Sequence, residues 1–284
     1  MSSLFHPAGT IGDDDRSVIV TPGMGGLDYG GLEVVPLASD SSYTFATGTR
    51  EVAVLPLSGG VVVEVEDRRF ELTGREGVFK AVTDFAYTPI DTEVRITATR
   101  PGEIALCTAE ATRHIDPYRV DAQDIRIEVR GGGVCTRQIN NFLSADMFDA
   151  DKLICVEVIT PEGGWSSYPP HKHDEFTEDE VKLEEIYYFR IDVALGTAFF
   201  SCYTPDDSIN ETVTVRDGDI YLVPRGYHGP AAATPGHHMY YLNIMAGPAE
   251  ERVWRFTEDP DHAWARPMLE AQPPDPRLPL TGPR

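Results

Sequence analysis

The chain has 284 residues, 41% of them hydrophobic, enough for one large β domain or two ordinary ones with substantial cores. Its formal net charge of −22 and pI near 4.6 leave no basic face for nucleic acid. No uninterrupted apolar run approaches membrane-spanning length and the first residues lack the apolar core of an export signal, so a cytoplasmic protein with no membrane partner is expected.

In chain order, short strands separated by Gly, Pro, Asp and Asn turns are predicted at 16–20, 51–57, 60–66, 93–99, 125–129, 154–159, 185–191, 198–203, 212–215, 219–223 and 239–245. Two short helices are predicted, at 140–148 and 249–255. The class is all-β. Cys107, Cys135, Cys155 and Cys202 form no Cys-x-x-Cys pair and read as buried free thiols. Gly23-Met24-Gly25-Gly26 and Gly131-Gly132-Gly133 have no following Lys-Ser/Thr and read as turns, not phosphate cradles.

The chain also reads as two copies of one unit. Ser42-Tyr43-Thr44-Phe45-Ala46-Thr47-Gly48 aligns with Ser167-Tyr168-Pro169-Pro170-His171-Lys172-His173, and each is followed by a strand opening at a glutamate, Glu51 or Glu185. Ala46 and Gly48 stand where the second copy has histidines, so the first copy reads as a metal-free scaffold. The expected domains are 1–113 and 125–257, with a polar junction at 114–124. Residues 258–284 hold seven prolines and no strand pattern, and read as an irregular tail over the surface or partly disordered.

The most informative stretch is Tyr168-Pro169-Pro170-His171-Lys172-His173-Asp174. Residues i and i+2 of a strand project from one face, so His171 and His173 converge, and paired neutral imidazoles suit a divalent transition metal. The segment from Gly218 to His228, Gly-x5-Pro-x-Gly-x-His, supplies a third imidazole. Glu185 opens the run Glu185-Ile186-Tyr187-Tyr188-Phe189 and offers a carboxylate, with Tyr187 on the same inward face and Glu184 turned away. Glu175, Glu178, Glu180 and Glu184 stay open as alternatives in an acidic insertion that reads mostly as solvated loop. Three histidines and one glutamate leave coordination positions for water or substrate, unlike a closed structural site. His237 and His238 read as loop residues, and His6, His114 and His262 have no partners in the sequence.

Tyr187 and Tyr241, on inward parity with Glu185 and Asn243, are candidates to hydrogen-bond a polar ligand. An anionic ligand in so acidic a chain needs local positive charge, and Lys172 and Arg225 lie inside the motifs. Arg225, whose fork matches a carboxylate, is the expected anion clamp, while Lys172 is a substrate-binding candidate that strand alternation turns away from the metal.

These residues resemble the cupin superfamily, whose first motif holds a His-x-His and a Glu and whose second is Gly-x5-Pro-x-Gly followed by His. The interval from His173 to Glu185 is longer than the usual cupin gap, and one residue instead of two separates Gly226 from His228. More narrowly, the segments from Ser166 to Asp174, Leu183 to Arg190, Arg137 to Leu143 and Pro224 to Pro230 are similar to those of the 5-deoxyglucuronate isomerase family of myo-inositol breakdown. The resemblance spans nearly the whole chain. It implies a bicupin, two tandem β-barrel or jelly-roll domains, and a metal-dependent exchange of 5-deoxy-D-glucuronate with 5-dehydro-2-deoxy-D-gluconate. A related isomerase family, acting on a keto-deoxyuronate from pectin breakdown, lacks the long insertion and fits less well.

The implied partner is a small sugar acid. The implied cofactor is a divalent metal on His171, His173, Glu185 and His228, zinc or manganese ahead of iron or nickel. The metal acts as a Lewis acid on the enediolate formed when C2 loses its proton, and Glu185, Tyr187 or a metal-bound hydroxide stand open as the base. The rival readings are an iron-using cupin dioxygenase and a non-catalytic sugar-binding cupin. Exposed edge strands are compatible with a homo-oligomer.

Overall fold

The computed structural model describes residues 3–283, and its regular structure is almost all strand. The first half builds a four-stranded sheet in the order Ser42–Ala46, Glu93–Arg100, Gly59–Val65, Arg68–Arg75. It faces a six-stranded sheet in the order Tyr118–Val120, Phe85–Thr88, Arg50–Pro56, Gly102–Glu110, Gly30–Leu37, Val18–Val20. In Glu93–Arg100, Val94, Ile96 and Ala98 turn inward while Glu93 and Arg95 are exposed, the period-two pattern of a strand with one wet face. These residues meet Val35, Val52, Val54, Val61 and Val63 in a core private to the first half.

The second half repeats the arrangement. Its inner sheet has seven strands in the order Phe5–His6, Ile220–Val223, Glu184–Ile191, Met239–Ala246, Ile154–Thr160, Arg137–Leu143, Arg126–Arg130. Its outer sheet runs Asn210–Val215, Ala198–Tyr203, Tyr227–Ala233, His171–Lys172, Thr257–Glu258, with Trp165–Ser166 beside Tyr227–Ala233. All four sheets are ladders with two ends, so of the expected β-barrel or jelly-roll forms neither half is a closed barrel, and each is an open sandwich of two sheets.

Ile154–Thr160 and Met239–Ala246 are buried at every position because both faces of their sheet are covered, one by the outer sheet and one by the first half. From the first half, Ala53, Leu55, Ala105 and Cys107 join this larger core. All four cysteines are free and buried.

Packing is not all that joins the halves. Phe5–His6, at the chain's start, pairs with Ile220–Val223 of the second half, Phe5 opposite Tyr221. The fully buried Arg75 guanidinium is ion-paired with Glu157, which also accepts from Tyr240 Oη at 2.7 Å and Asn140 Nδ2 at 3.1 Å. A buried pair satisfied in this way fixes how two surfaces register more than it adds net stability.

Neither expected helix forms. Residues 137–143 are the strand Arg137–Leu143, where Asn140 and Asn141 find partners in Glu157 and the Arg126 carbonyl, each at 3.1 Å, so the sheet overrides local preference. At 249–255 the Arg252 guanidinium bonds the carbonyls of Leu143, Leu153 and Phe148 at 3.2, 3.0 and 2.5 Å and fixes an irregular path. The α-helix among the described residues is Ala265–Glu270, and none is long and apolar enough to cross a membrane. The final segment returns to the second half, where Gln138 Oε1 accepts the N–H groups of Leu280 and Thr281 at 2.7 and 3.1 Å.

Candidate metal centre

Separate elements of the second half carry the ligand candidates to one point. His171, on the short strand His171–Lys172, sits directly opposite His228, the second residue of Tyr227–Ala233. Their ring centroids are 4.4 Å apart, and the His173 ring is 4.8 Å from that of His228. Glu185 comes from Glu184–Ile191 in the facing sheet. One ligand atom from each of the four lies within 4.8 Å of all the others. Gly226 makes the turn that delivers His228: its φ is +96°, and a Cβ there would come within 2.7 Å of the Tyr203 carbonyl oxygen. The Gly226 N–H donates to Asp174 Oδ2 at 2.7 Å, which ties the two motifs together.

Neighbouring carbonyls fix the tautomers. His173 Nδ1 is 2.9 Å from the Leu183 oxygen and His228 Nδ1 is 3.1 Å from the Gly226 oxygen. A carbonyl only accepts, so each ring carries a proton on Nδ1 and, when neutral, presents a bare Nε2. Those Nε2 atoms lie 3.0 and 3.1 Å from Glu185 Oε2. Acceptors this close repel one another unless a cation stands among them. The contact from His228 is not a hydrogen bond, and its buried Nε2 has no other partner. Separations of 3.0–3.1 Å are those of adjacent ligands around an ion with bonds of about 2.1 Å. The residues therefore fit a divalent cation.

Burial opposes charge on His173, but the hydrogen bond and attraction from Glu185 outweigh it and raise the imidazole above its ordinary value. Burial likewise pushes the Glu185 carboxyl up, yet His173 and His228 hold it well below the usual range. Burial and the neighbouring imidazoles press His171 well down, so it is a neutral ligand.

Of the acidic candidates only Glu185 reaches the histidines. Glu180 accepts the N–H groups of Asp174 and Glu175 at 2.7 and 2.9 Å and pairs with Lys172 Nζ at 3.0 Å. Asp174 and Glu175 close on the same ammonium at 2.8 and 2.9 Å. Glu178 is exposed, and Glu184 turns to the other half of the chain. Lys172, expected to touch substrate, is thus committed to the insertion. Arg225, expected to clamp an anion, is exposed, bonds Ser208 Oγ at 2.6 Å and lines a different surface depression. The turn that aims His228 inward leaves Arg225 outside.

Tyr187 and Tyr241 lie where strand parity puts them. The Tyr241 hydroxyl is 3.0 Å from Ser166 Oγ and 3.2 Å from Ser167 Oγ, and Tyr187 Oη is 3.4 Å from Ser167 Oγ. Both face a cleft that His171 and Glu185 also line. Its other walls hold residues that sequence reasoning passes over: Arg130, Arg137, Arg266, Trp254 and Phe256. Phe256 rests against His171, ring centroids 4.8 Å apart. Arg137 shares its strand face with Ile139, which lines the cleft too, but only the folded sheet brings that face there. Trp254 and Arg266 come from an irregular stretch and a short helix, with no local pattern to mark them.

The KduI/IolB family profile matches residues 4–265. The chain belongs to the KduI/IolB family. Relatives include a 5-deoxy-glucuronate isomerase of Geobacillus kaustophilus, 39% identical over 267 residues that cover 93% of this chain and 95% of the relative. The Bacillus subtilis 5-deoxy-glucuronate isomerase is 40% identical over 248 residues, 86% of this chain and 90% of its own. The crystal structure of an IolB-like protein from Salmonella typhimurium superposes with a TM-score of 0.86 at 34% identity, covering 92% of this chain and 98% of that one. The Lactobacillus farciminis oxalate decarboxylase gives a TM-score of 0.67 at 12% identity, covering 91% and 89%, a likeness of cupin-like fold alone.

Proposed function

We propose that this family member is a metal-dependent aldose–ketose isomerase that converts 5-deoxy-D-glucuronate to 5-dehydro-2-deoxy-D-gluconate in myo-inositol breakdown. The observation that carries the reading is the convergence of His171, His173, Glu185 and His228 within 4.8 Å. It occurs in a chain 39% identical, over 93% of its length, to a relative named for that reaction. The accompanying fold reading is two tandem cupin domains, 1–113 and 125–257, the first a scaffold without metal, followed by the segment 258–284. The pairing of one inner and one outer sheet in each half supports it, and the Phe5–His6 strand that crosses to the second half is a departure from a strict split.

His171, His173, Glu185 and His228 would hold a divalent ion, zinc or manganese ahead of iron or nickel. Once bound, it supplies Lewis acidity to the carbonyl and adjacent hydroxyl oxygens of the sugar. The chain's own side chains do the rest. Isomerisation moves one proton from C2 to C1 and one between their oxygens, so no redox cofactor is consumed. Tyr187 and Tyr241, joined through Ser167, present hydroxyls to those oxygens and suit the oxygen-to-oxygen transfer. Trp254 and Phe256 cover the His171 side and limit water at the reacting carbons. Lys172 and Arg225 take no part in this reading, because neither lines the cleft.

The test is to incubate purified, metal-analysed protein with 5-deoxyglucuronate in deuterated water. Ketone formation, solvent deuterium at C1, loss on chelation and recovery on adding a divalent ion are expected. Iron(II)-dependent oxygen uptake without ketone would replace the reading with a dioxygenase. Sugar binding without turnover would reduce it to a binding protein.

A further inference from the structure

Three arginines line the cleft, and they are not equivalent. Arg130 Nη2 is 2.7 Å from Glu128 Oε2. Arg266 is ion-paired with Glu258 and, at 3.2 Å, with Glu270. Arg137 has no carboxylate in ion-pairing reach among the described residues, and its hydrogen bond runs from Nη1 to the Cys135 carbonyl at 3.3 Å. The other N–H groups of its guanidinium are uncommitted.

The loop beneath Arg137 is shaped to receive it. Gly131 has φ +84°, and a Cβ there would come within 2.3 Å of the Cys135 carbonyl oxygen and 2.7 Å of Arg137 Nη1. Only glycine lets the guanidinium lie at that place. Two neutral donors of the same cleft are also unspent: Asn243 Nδ2, on a residue 4% exposed, and Trp254 Nε1 have no hydrogen-bond partner. Unpaired buried donors and an uncompensated charge cost stability, and a cleft that keeps all three is organised for a polar, anionic guest. Burial and the like charges of Arg130 and Arg266 press the Arg137 guanidinium down from its ordinary range, though it stays charged.

We propose that Arg137 takes the carboxylate of the sugar acid whose carbonyl end lies at the His171, His173, Glu185 and His228 cluster, and so selects uronates over neutral sugars. Asn243 and Trp254 serve the hydroxyls between those ends. The inference rests on the isomerase reading for what reacts, and on the cleft alone for what binds. A guanidinium fork matches both oxygens of a carboxylate. In a protein of net charge −22 the long-range field repels anions, so discrimination falls to an uncompensated cation inside the site.

The experiment compares the metal-loaded full-length protein with its Arg137→Met and Arg137→Lys variants on two sugars. One is 5-deoxyglucuronate and the other 5-deoxyglucose, which has a hydroxymethyl group in place of the carboxylate. Arg137→Met is expected to lose roughly 10- to 100-fold in kcat/KM on the acid, mostly through KM, with little change on the neutral sugar, and Arg137→Lys to recover part of it. Calorimetric binding of D-gluconate, which has no carbonyl to isomerise, should weaken by a similar factor while metal content and melting temperature hold. Equal losses on both sugars, unchanged turnover of the acid, or gluconate binding indifferent to Arg137 would overturn the proposal. If the wild type turns over neither sugar, the isomerase reading fails and gluconate binding still decides the role of Arg137.

Discussion

Glu51 and Glu184 clasp the two halves of the chain from opposite sides. Glu51 accepts the N–H groups of Asp151, Lys152 and Leu153 at 2.8, 2.6 and 2.6 Å, just ahead of Ile154–Thr160. Glu184 accepts those of Asp28, Tyr29 and Gly30 at 2.7, 2.6 and 2.6 Å, where Gly30–Leu37 begins. Each carboxylate stands at the head of an inner-sheet strand and gathers three consecutive amides from the other half. The relation is that of a pseudo-twofold axis. It makes Val52, packed in the first half's private core, the counterpart of Glu185 among the histidines.

Replacing Glu51 or Glu184 by glutamine leaves one acceptor oxygen and points an amide NH2 at backbone donors. Each variant is expected to lose about 2–4 kcal/mol in denaturant unfolding, because buried groups lose a charged partner. The exposed Glu71→Gln should stay within about 0.5 kcal/mol. Losses no greater than that of Glu71→Gln would remove the clasp from the account.

His228→Ala removes one of the converging imidazoles and leaves a small buried hole. Metal content should fall from about one ion per chain to near zero at micromolar free ion, and turnover should drop by roughly three orders of magnitude or more. Elemental analysis read beside circular dichroism separates this from unfolding. A folded variant that keeps its metal would dismiss His228 as a ligand.

The histidines make the effect of metal on stability depend on pH. In the metal-free protein His173, raised above 6.5, adds stability that is fully present below 6.5 and is lost as pH climbs through the raised value. His171, depressed below 6.5, must shed a proton to fold, so stability falls as pH drops below 6.5. Glu185, held below 4.5, adds stability above 4.5 that is lost only in stronger acid. A bound cation replaces the proton between His173 and Glu185 and cancels the alkaline decline. The gap in Tm between metal-loaded and metal-free protein should therefore widen from about pH 6 to about pH 8. Scanning calorimetry reads it, and a constant gap contradicts the assignment.

Lys172→Met and Arg225→Ala should both keep kcat/KM within about threefold, since neither side chain faces the cleft. They should differ in another assay. Lys172→Met strips the counter-ion from Asp174, Glu175 and Glu180, and limited proteolysis should then cut faster between residues 174 and 184. A hundredfold loss of activity in Arg225→Ala would restore it as the anion clamp.

The histidine positions are legible because the alternation of a strand is local, and the inward face of Glu185 follows from the same parity. Arg137 is not legible that way. It reaches the cleft only because Arg137–Leu143 pairs with Ile154–Thr160, a long-range relation that no spacing within either strand encodes. Arg225 misleads because nearness to a motif in sequence does not say which way a turn points its side chains. Aligning Glu51 with Glu185 is one residue out, and one residue in a strand exchanges the faces: Glu51 belongs with Glu184. Residues 140–148 read as helix because a strand buried on both faces has no alternation to show, and its asparagines find partners only in the folded sheet.

Thr257–Glu258 lies beside His171–Lys172 as the last rung of the outer sheet, with Phe256 and Trp254 leading into it. Every ligand candidate therefore leaves the ribosome before that wall does. A nascent chain that has emerged as far as residue 250 already owns its imidazoles and carboxylate but still lacks Trp254 and Phe256, so cation capture can precede closure of the cleft over His171 during synthesis.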